Sequence, residues 1–234
     1  MKLLALDTAT EACSAALYID GEITAKFQLA PREHTKLILK MIEELLAEAA
    51  LKVTGLDAIA FGRGPGSFSG VRIATGVTHG LAFAADLPVI PVSTLASIAQ
   101  STYNEHHTEN VLAGIDARMG EIYWGCYQLA ENGLMTLKGD EQVSSAELIQ
   151  LPDDKQWSGS GSAWKGYPDQ LNNRFGSVLK STFADYLPDS TSIVQLAAYE
   201  YSQGRLLEAS QAQPVYLRND VAKKSAQQTS LKNG

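Results

Sequence analysis

The chain has 234 residues, a formal net charge of −7, 45% hydrophobic and 19% charged residues. This is a globular composition with room for one large or two modest domains, and it excludes a mainly disordered chain. The acidic balance argues against a protein whose main task is gripping phosphate backbones. Two cysteines, Cys13 and Cys126, exclude a disulfide framework and read as buried, reduced thiols. The opening MKLLALDTAT carries no signal-peptide core, and no stretch reaches transmembrane length, so a soluble, cytoplasmic protein without membrane attachment is expected.

In chain order, residues 2–29 read as three strands, with a hairpin turn at Asp20-Gly21. Pro31 opens a helical stretch in which Leu37, Ile38, Met41, Ile42, Leu45, Leu46 and Ala49 recur at helical spacing. A short strand, Asp57 to Phe61, leads into the loop GRGPGSFSG from Gly62 to Gly70, then a helix from about Val71 to Ala85. Another strand, Val89 to Val92, precedes a helix from about Ser93 to Tyr103. The polar stretch NEHHTEN, residues 104–110, marks a boundary between subdomains of 1–105 and 106–220.

The second half opens like the first. LLALD ends at Asp7 and VLAGID at Asp116; each is followed by a polar turn, an apolar strand and a later Asx-Gly turn, Asp20-Gly21 and Asn132-Gly133. This is a weak internal repeat, placed where a duplicated fold requires it. Further on, Ser144 to Leu151 reads as a short helix and Trp157 to Gly161 as a strand entering a turn. Ser192 to Tyr201 reads as a helix with capping-box spacing between Ser192 and Gln195. Pro214 to Arg218 is extended, and residues 221–234 read as a loose basic tail.

The loop at Gly62 to Gly70 admits two readings. Glycines before a helix let backbone N–H groups face an anion, which makes Asp7, Thr8, Gly64, Gly66 and Ser67 a possible vestigial phosphate loop. The same glycines serve a tight strand-to-helix crossover. The loop lacks a P-loop lysine and the full GxGxxG. Asp7 and Asp116, at strand ends, suit Mg²⁺ with a nucleotide or the capping of their own turns. His34 and His79 lie on separate helices and read as hydrogen-bonded surface side chains; no metal-ligand spacing occurs.

The two early helices carry apolar and small residues in excess of one buried face. Leu37, Met41 and Leu45 run beside Ile38, Ile42 and Leu46, while Gly76, Gly80 and Ala84 form a small-residue ridge. Both helices simply cover a sheet, or each offers a second face to a partner.

LALDTAT, the pair Arg32 and His34, DAIAFGRGPGSFSGVRIA and PVYLR together resemble the TsaB (YeaZ) family of the actin-like ATPase superfamily. The resemblance implies an α/β, actin-like (ASKHA, ribonuclease H-like) duplicated fold of two subdomains. It implies a non-catalytic scaffold without cofactor in tRNA threonylcarbamoyladenosine synthesis. Such a scaffold pairs with a TsaD-type catalytic subunit through its first helices, is joined by a TsaE-type ATPase, touches tRNA only indirectly and forms a homodimer when alone. By position, the catalytic relative's two metal-binding histidines fall near Thr94 and Ile98 here, neither of which replaces them. The competing reading is an ATP-dependent enzyme of the same fold, a small-molecule kinase or metallopeptidase-like protein using Asp7, Asp116 and the loop at Gly64 to Gly66.

Overall fold

The computed structural model describes residues 1–218; the basic tail expected at 221–234 lies outside the described residues. Strands β1 (Lys2–Asp7), β2 (Ala12–Ile19), β3 (Glu22–Leu29), β4 (Ala58–Gly62) and β5 (Val89–Val92) form one sheet in the order β3-β2-β1-β4-β5. Strands β6 (Asn110–Arg118), β7 (Glu121–Leu129), β8 (Met135–Ser144), β9 (Trp157–Ser160) and β10 (Leu179–Phe183) form a second, in the order β10-β9-β6-β7-β8. Read from the other edge, the second order repeats the first. In each sheet the first three strands are antiparallel, and the fourth and fifth join parallel. The fold is the duplicated actin-like α/β arrangement, and Asp7 and Asp116 end the equivalent strands β1 and β6.

Helices α1 (His34–Glu48) and α2 (Phe68–Ala85) cover one face of the first sheet. Their core includes Leu4, Leu6, Ile59 and Phe61 from the strands, with Ile38, Met41, Leu45, Ala74 and Ala82 from the helices. Cys13 and Cys126 are free and buried, and burial pushes their thiols up to about 11 and 12. The opposite face is covered by α6 (Ser190–Ser202), whose Ile193, Val194 and Ala197 meet Leu3, Ala5, Ala60 and Ile90. The second sheet holds α3 (Thr94–His106) on one face and the short α4 (Ala163–Gly166) and α5 (Pro168–Phe175) on the other.

Helices α3 and α6 meet between the sheets through polar contacts. Ser97 Oγ donates to the Asp189 carbonyl (2.9 Å), Ser101 and Ser192 share a hydroxyl contact (2.8 Å), and Asn104 donates to Gln195 (2.8 Å). A buried carboxylate adds a second tie: Glu141 on β8 accepts from Ser93 and from Tyr127 (2.5 Å) and pairs with Arg63 (3.0 Å), just beyond β4.

Several elements depart from the sequence reading. The α6 N-cap is Asp189, which accepts from the Thr191 N–H; Ser192 is already helical and spends its hydroxyl on Ser101. The stretch 144–151 holds only a single 3₁₀ turn, Ala146–Leu148. Part of NEHHTEN is helix, because α3 runs to His106 and His107 ends it in a left-handed conformation. By packing, α6 belongs with the first sheet although it follows the second in the chain. Val89 also bridges to Leu207, and Val215 donates to the Arg63 carbonyl (2.8 Å). A division at residue 105 therefore follows chain order, while the layers interleave.

The largest departure is on α1. Met41 and Leu45 are 6% and 1% exposed, and Leu37 is half-buried against the same cluster. Positions 38, 41, 42, 45 and 46 form one stripe at i, i+3, i+4, i+7 and i+8, the width a single sheet-facing side needs. What reads as two apolar faces is one. Replacing Leu45 with alanine should cost about 2–5 kcal/mol of folding stability in urea unfolding, as a buried leucine leaving a cavity does. A loss below about 1 kcal/mol would place Leu45 outside the core.

Candidate functional site

The glycine loop sits between β4 and α2, and it is occupied by protein. Thr8 Oγ1 donates to the Gly70 carbonyl (2.6 Å), and the Ser67 N–H donates to the Ala9 carbonyl (2.7 Å). A Cβ at Gly70 would overlap the Thr8 carbonyl oxygen, and one at Gly66 would press on the Ala9 backbone. These glycines let the turn after β1 lie directly against the loop. Ser67 then caps α2, its hydroxyl accepting from the Gly70 N–H (3.1 Å).

Asp7 is fully buried beneath this contact. Its Oδ1 accepts from the Ala9 N–H (2.9 Å), so it closes its own turn, and its Oδ2 has no partner among the described residues. A Cβ at Gly62 would collide with that oxygen. Desolvation dominates and pushes the carboxyl up to about 7, with the Ala9 hydrogen bond opposing it. Asp116 also closes its own turn: it accepts from the Arg118 N–H (2.7 Å) and from Tyr167 (2.8 Å), and pairs with the Arg118 guanidinium (2.9 Å). A cleft of about 950 Å³ between the halves has Asp116, Arg32, His34, Ser67, Gly66 and Arg118 in its wall; Asp7 lies outside it. The two aspartates therefore do not converge on one open site.

Of the histidines, His34 is buried, 9% exposed, with an Nε2 that has no partner among the described residues, which corrects its reading as a surface group. His79 is exposed and lies edge-on to Phe83 at 6.3 Å. Thr94 and Ile98, where the resemblance set the catalytic relative's histidines, are both fully buried on α3.

The other candidate surface is the outer face of α2. Gly76, Gly80 and Ala84 are exposed, and a Cβ at Gly76 or Gly80 would meet nothing within 4 Å. Among the described residues these two glycines pack against nothing. Phe83, 76% exposed, stands beside them with His79. Sequence reasoning picked out the ridge and missed Phe83, although its position three residues after Gly80 places it on the same face. The small-residue ridge is open, whereas Leu37, Met41 and Leu45 of α1 face the sheet.

A family model described as "TsaD: tRNA N6-adenosine threonylcarbamoyltransferase" matches residues 26–230. A tRNA threonylcarbamoyladenosine biosynthesis protein TsaB from Escherichia coli strain K12 is 43% identical over 225 residues, covering 95% of this chain and 96% of the relative. The protein of the same name from Haemophilus influenzae is 44% identical, covering 94% and 95%. The solved structure of YeaZ from Pseudomonas aeruginosa superposes with a TM-score of 0.87 at 47% identity, covering 92% of this chain and 99% of that one.

The burial of Asp7 gives a pH signature. Its folded carboxyl keeps its proton to about pH 7, whereas an aspartate in the unfolded chain loses it near about 4. The folded state thus holds the extra proton, and stability falls as pH rises from about 4 to about 7. Asp7→Asn should remove this fall, so the stability difference between variant and wild type in urea should shift in the variant's favour from pH 5 to pH 8. Identical pH dependence in the two proteins would contradict the sealed, neutral carboxyl.

Proposed function

The chain belongs to the TsaB family, and from that premise we propose that it is a non-catalytic, cytoplasmic subunit of tRNA threonylcarbamoyladenosine synthesis that docks a TsaD-type catalytic subunit on the outer face of α2. The observation that carries this reading is the open ridge of Gly76, Gly80 and Ala84 beside the exposed ring of Phe83. A glycine in a helix interior costs about 1 kcal/mol relative to alanine. Two such glycines with empty space around them fit a surface that a second helix approaches closely. An exposed aromatic beside that ridge supplies the apolar area that interface centres use.

The non-catalytic part of the reading draws on the sealed loop. Asp7 is fully buried, closes its own turn on the Ala9 N–H and lies outside the wall of the cleft, so it is not presented to a ligand there. The Gly66 and Gly70 backbone is packed against Ala9 and Thr8, which commits that side of the loop to internal contact, and only its Gly66–Ser67 side borders the cleft. A TsaE-type ATPase completes the assembly in this reading, tRNA is held mainly by the partners, and no cofactor is assigned to this chain. No helix among the described residues is long and apolar enough to cross a membrane.

Gly80→Leu tests the surface without disturbing the fold. The side chain has room, and leucine favours helix, so thermal stability should stay level or rise. Co-purification with the TsaD-type subunit of the same organism should fall at least about tenfold, a loss of about 1.4 kcal/mol or more. Phe83→Ala should weaken the complex in the same direction. Normal binding by both variants would remove α2 as the docking face. In a reconstituted reaction, omitting this chain should abolish tRNA modification, and adding the Gly80→Leu protein should restore little of it.

A further inference from the structure

Beyond α6 the chain ties the two halves together along a path of its own. It first meets β5, where Leu207 and Val89 exchange hydrogen bonds (2.8 and 3.0 Å). A single 3₁₀ turn, Ala209–Gln211, then brings Ala212 into the core shared with α1 and α2, on the opposite face of the sheet from α6. The segment thus rounds the β5 edge and emerges at the glycine loop.

Pro214 to Arg218 crosses from one half to the other. The Val215 N–H donates to the Arg63 carbonyl (2.8 Å), and a Cβ at Gly64 would come within 3.0 Å of the Val215 carbonyl oxygen. Tyr216 accepts from the Arg72 guanidinium (2.8 Å), and its ring lies 5.9 Å from that of Phe68, over which Arg72 stacks at 3.4 Å. Two residues later Arg218 reaches the second half. It donates to Glu121 and to the Arg118 carbonyl (3.3 Å), at the turn between β6 and β7. Val215 to Arg218 form part of the cleft wall, to which no described residue of α3 or α6 contributes.

We propose that Pro214–Arg218 is a strap that sets the width of the cleft, with Arg218 as its releasable clasp. Two residues of extended chain span at most about 7 Å. The cleft therefore cannot widen at this point unless one anchor lets go. The first-half anchor has three parts: a backbone hydrogen bond, a tyrosine held by a guanidinium stacked on an aromatic ring, and Ala212 buried behind them. The second-half anchor is one side chain. Arg218 and Glu121 keep 20% and 41% of their side chains exposed, so salt screens the pair. Release leaves the halves joined by α3 with α6 and by Arg63 with Glu141, neither of which lines the cleft. These contacts are the pivots of a hinge opening. The device uses no residue of the outer face of α2, so it stands or fails apart from the docking reading.

The test uses the whole chain. Spin labels on Thr35→Cys and Lys165→Cys, which line the cleft from opposite halves, report its width by double electron–electron resonance; the native Cys13 and Cys126 are buried. The labelled wild type should show one narrow distance at low salt. Arg218→Ala and Glu121→Gln should each add a longer one, with circular dichroism unchanged. Salt at about 1 M should add it to the wild type and leave Arg218→Ala as it was. The exchanged pair, Arg218→Glu with Glu121→Arg, should restore the narrow distance. Two glycines inserted between Leu217 and Arg218 lengthen the strap with both anchors kept, and they too should add the longer distance. A distribution unchanged in Arg218→Ala, or a widening that the exchanged pair does not reverse, overturns the clasp. A distribution unchanged in the lengthened chain, or one already broad in the wild type at low salt, overturns the strap.

Discussion

The backbone of Thr8 and Ala9 lies against the backbone of Gly66 and Gly70, closer than any side chain at those glycines would allow. Two hydrogen bonds hold the approach, from Thr8 Oγ1 to the Gly70 carbonyl and from the Ser67 N–H to the Ala9 carbonyl. Three consequences follow from this one contact. It sets the point where α2 starts, because Ser67 is both the anchor and the helix cap. It buries Asp7, whose Oδ2 has no partner among the described residues and whose carboxyl is raised to about 7. It also commits the Gly66 and Gly70 backbone to internal packing, although Gly66 and Ser67 still border the cleft. With the loop committed to internal packing, α2 is fixed with Ala74 and Ala82 on the sheet and Gly76, Gly80 and Phe83 toward solvent.

The two halves are duplicates in strand order but not in how they are held. Helix α6 leaves the second sheet and covers the first, so the chain is tied by its own return path. Between the sheets, α3 and α6 meet mostly through serine, asparagine and glutamine, and Glu141 gathers Ser93, Tyr127 and Arg63 around one carboxylate. Buried polar networks of this sort specify one arrangement, since a slipped neighbour would strand a charge or hydroxyl.

Much of the architecture is legible in the residues. The repeated strand-turn-strand unit, the Asx-Gly turns and the glycine loop all mark local backbone demands, and such demands are written locally. Face and burial are not. On α1, the stripe through Leu37, Met41 and Leu45 adjoins the one through Ile38, Ile42 and Leu46, and only the sheet beneath shows that together they make one side. Ser192 has the spacing of a capping box, yet its hydroxyl is spent on Ser101, 91 residues away in the chain. Strand β8 bulges opposite β7 and exposes much of its length, which blurs alternation, and β10 is a short edge strand.

The glycine loop is a structural contact, and the proposed function places the chain's work on its surfaces. Titration calorimetry of the isolated chain with ATP and Mg²⁺ tests it most directly. The closed loop and buried Asp7 predict no measurable binding, in wild type and in Asp7→Asn alike. Tight binding in the wild type that Asp7→Asn abolishes would contradict the account, because it would require the loop to open and Asp7 to serve a ligand.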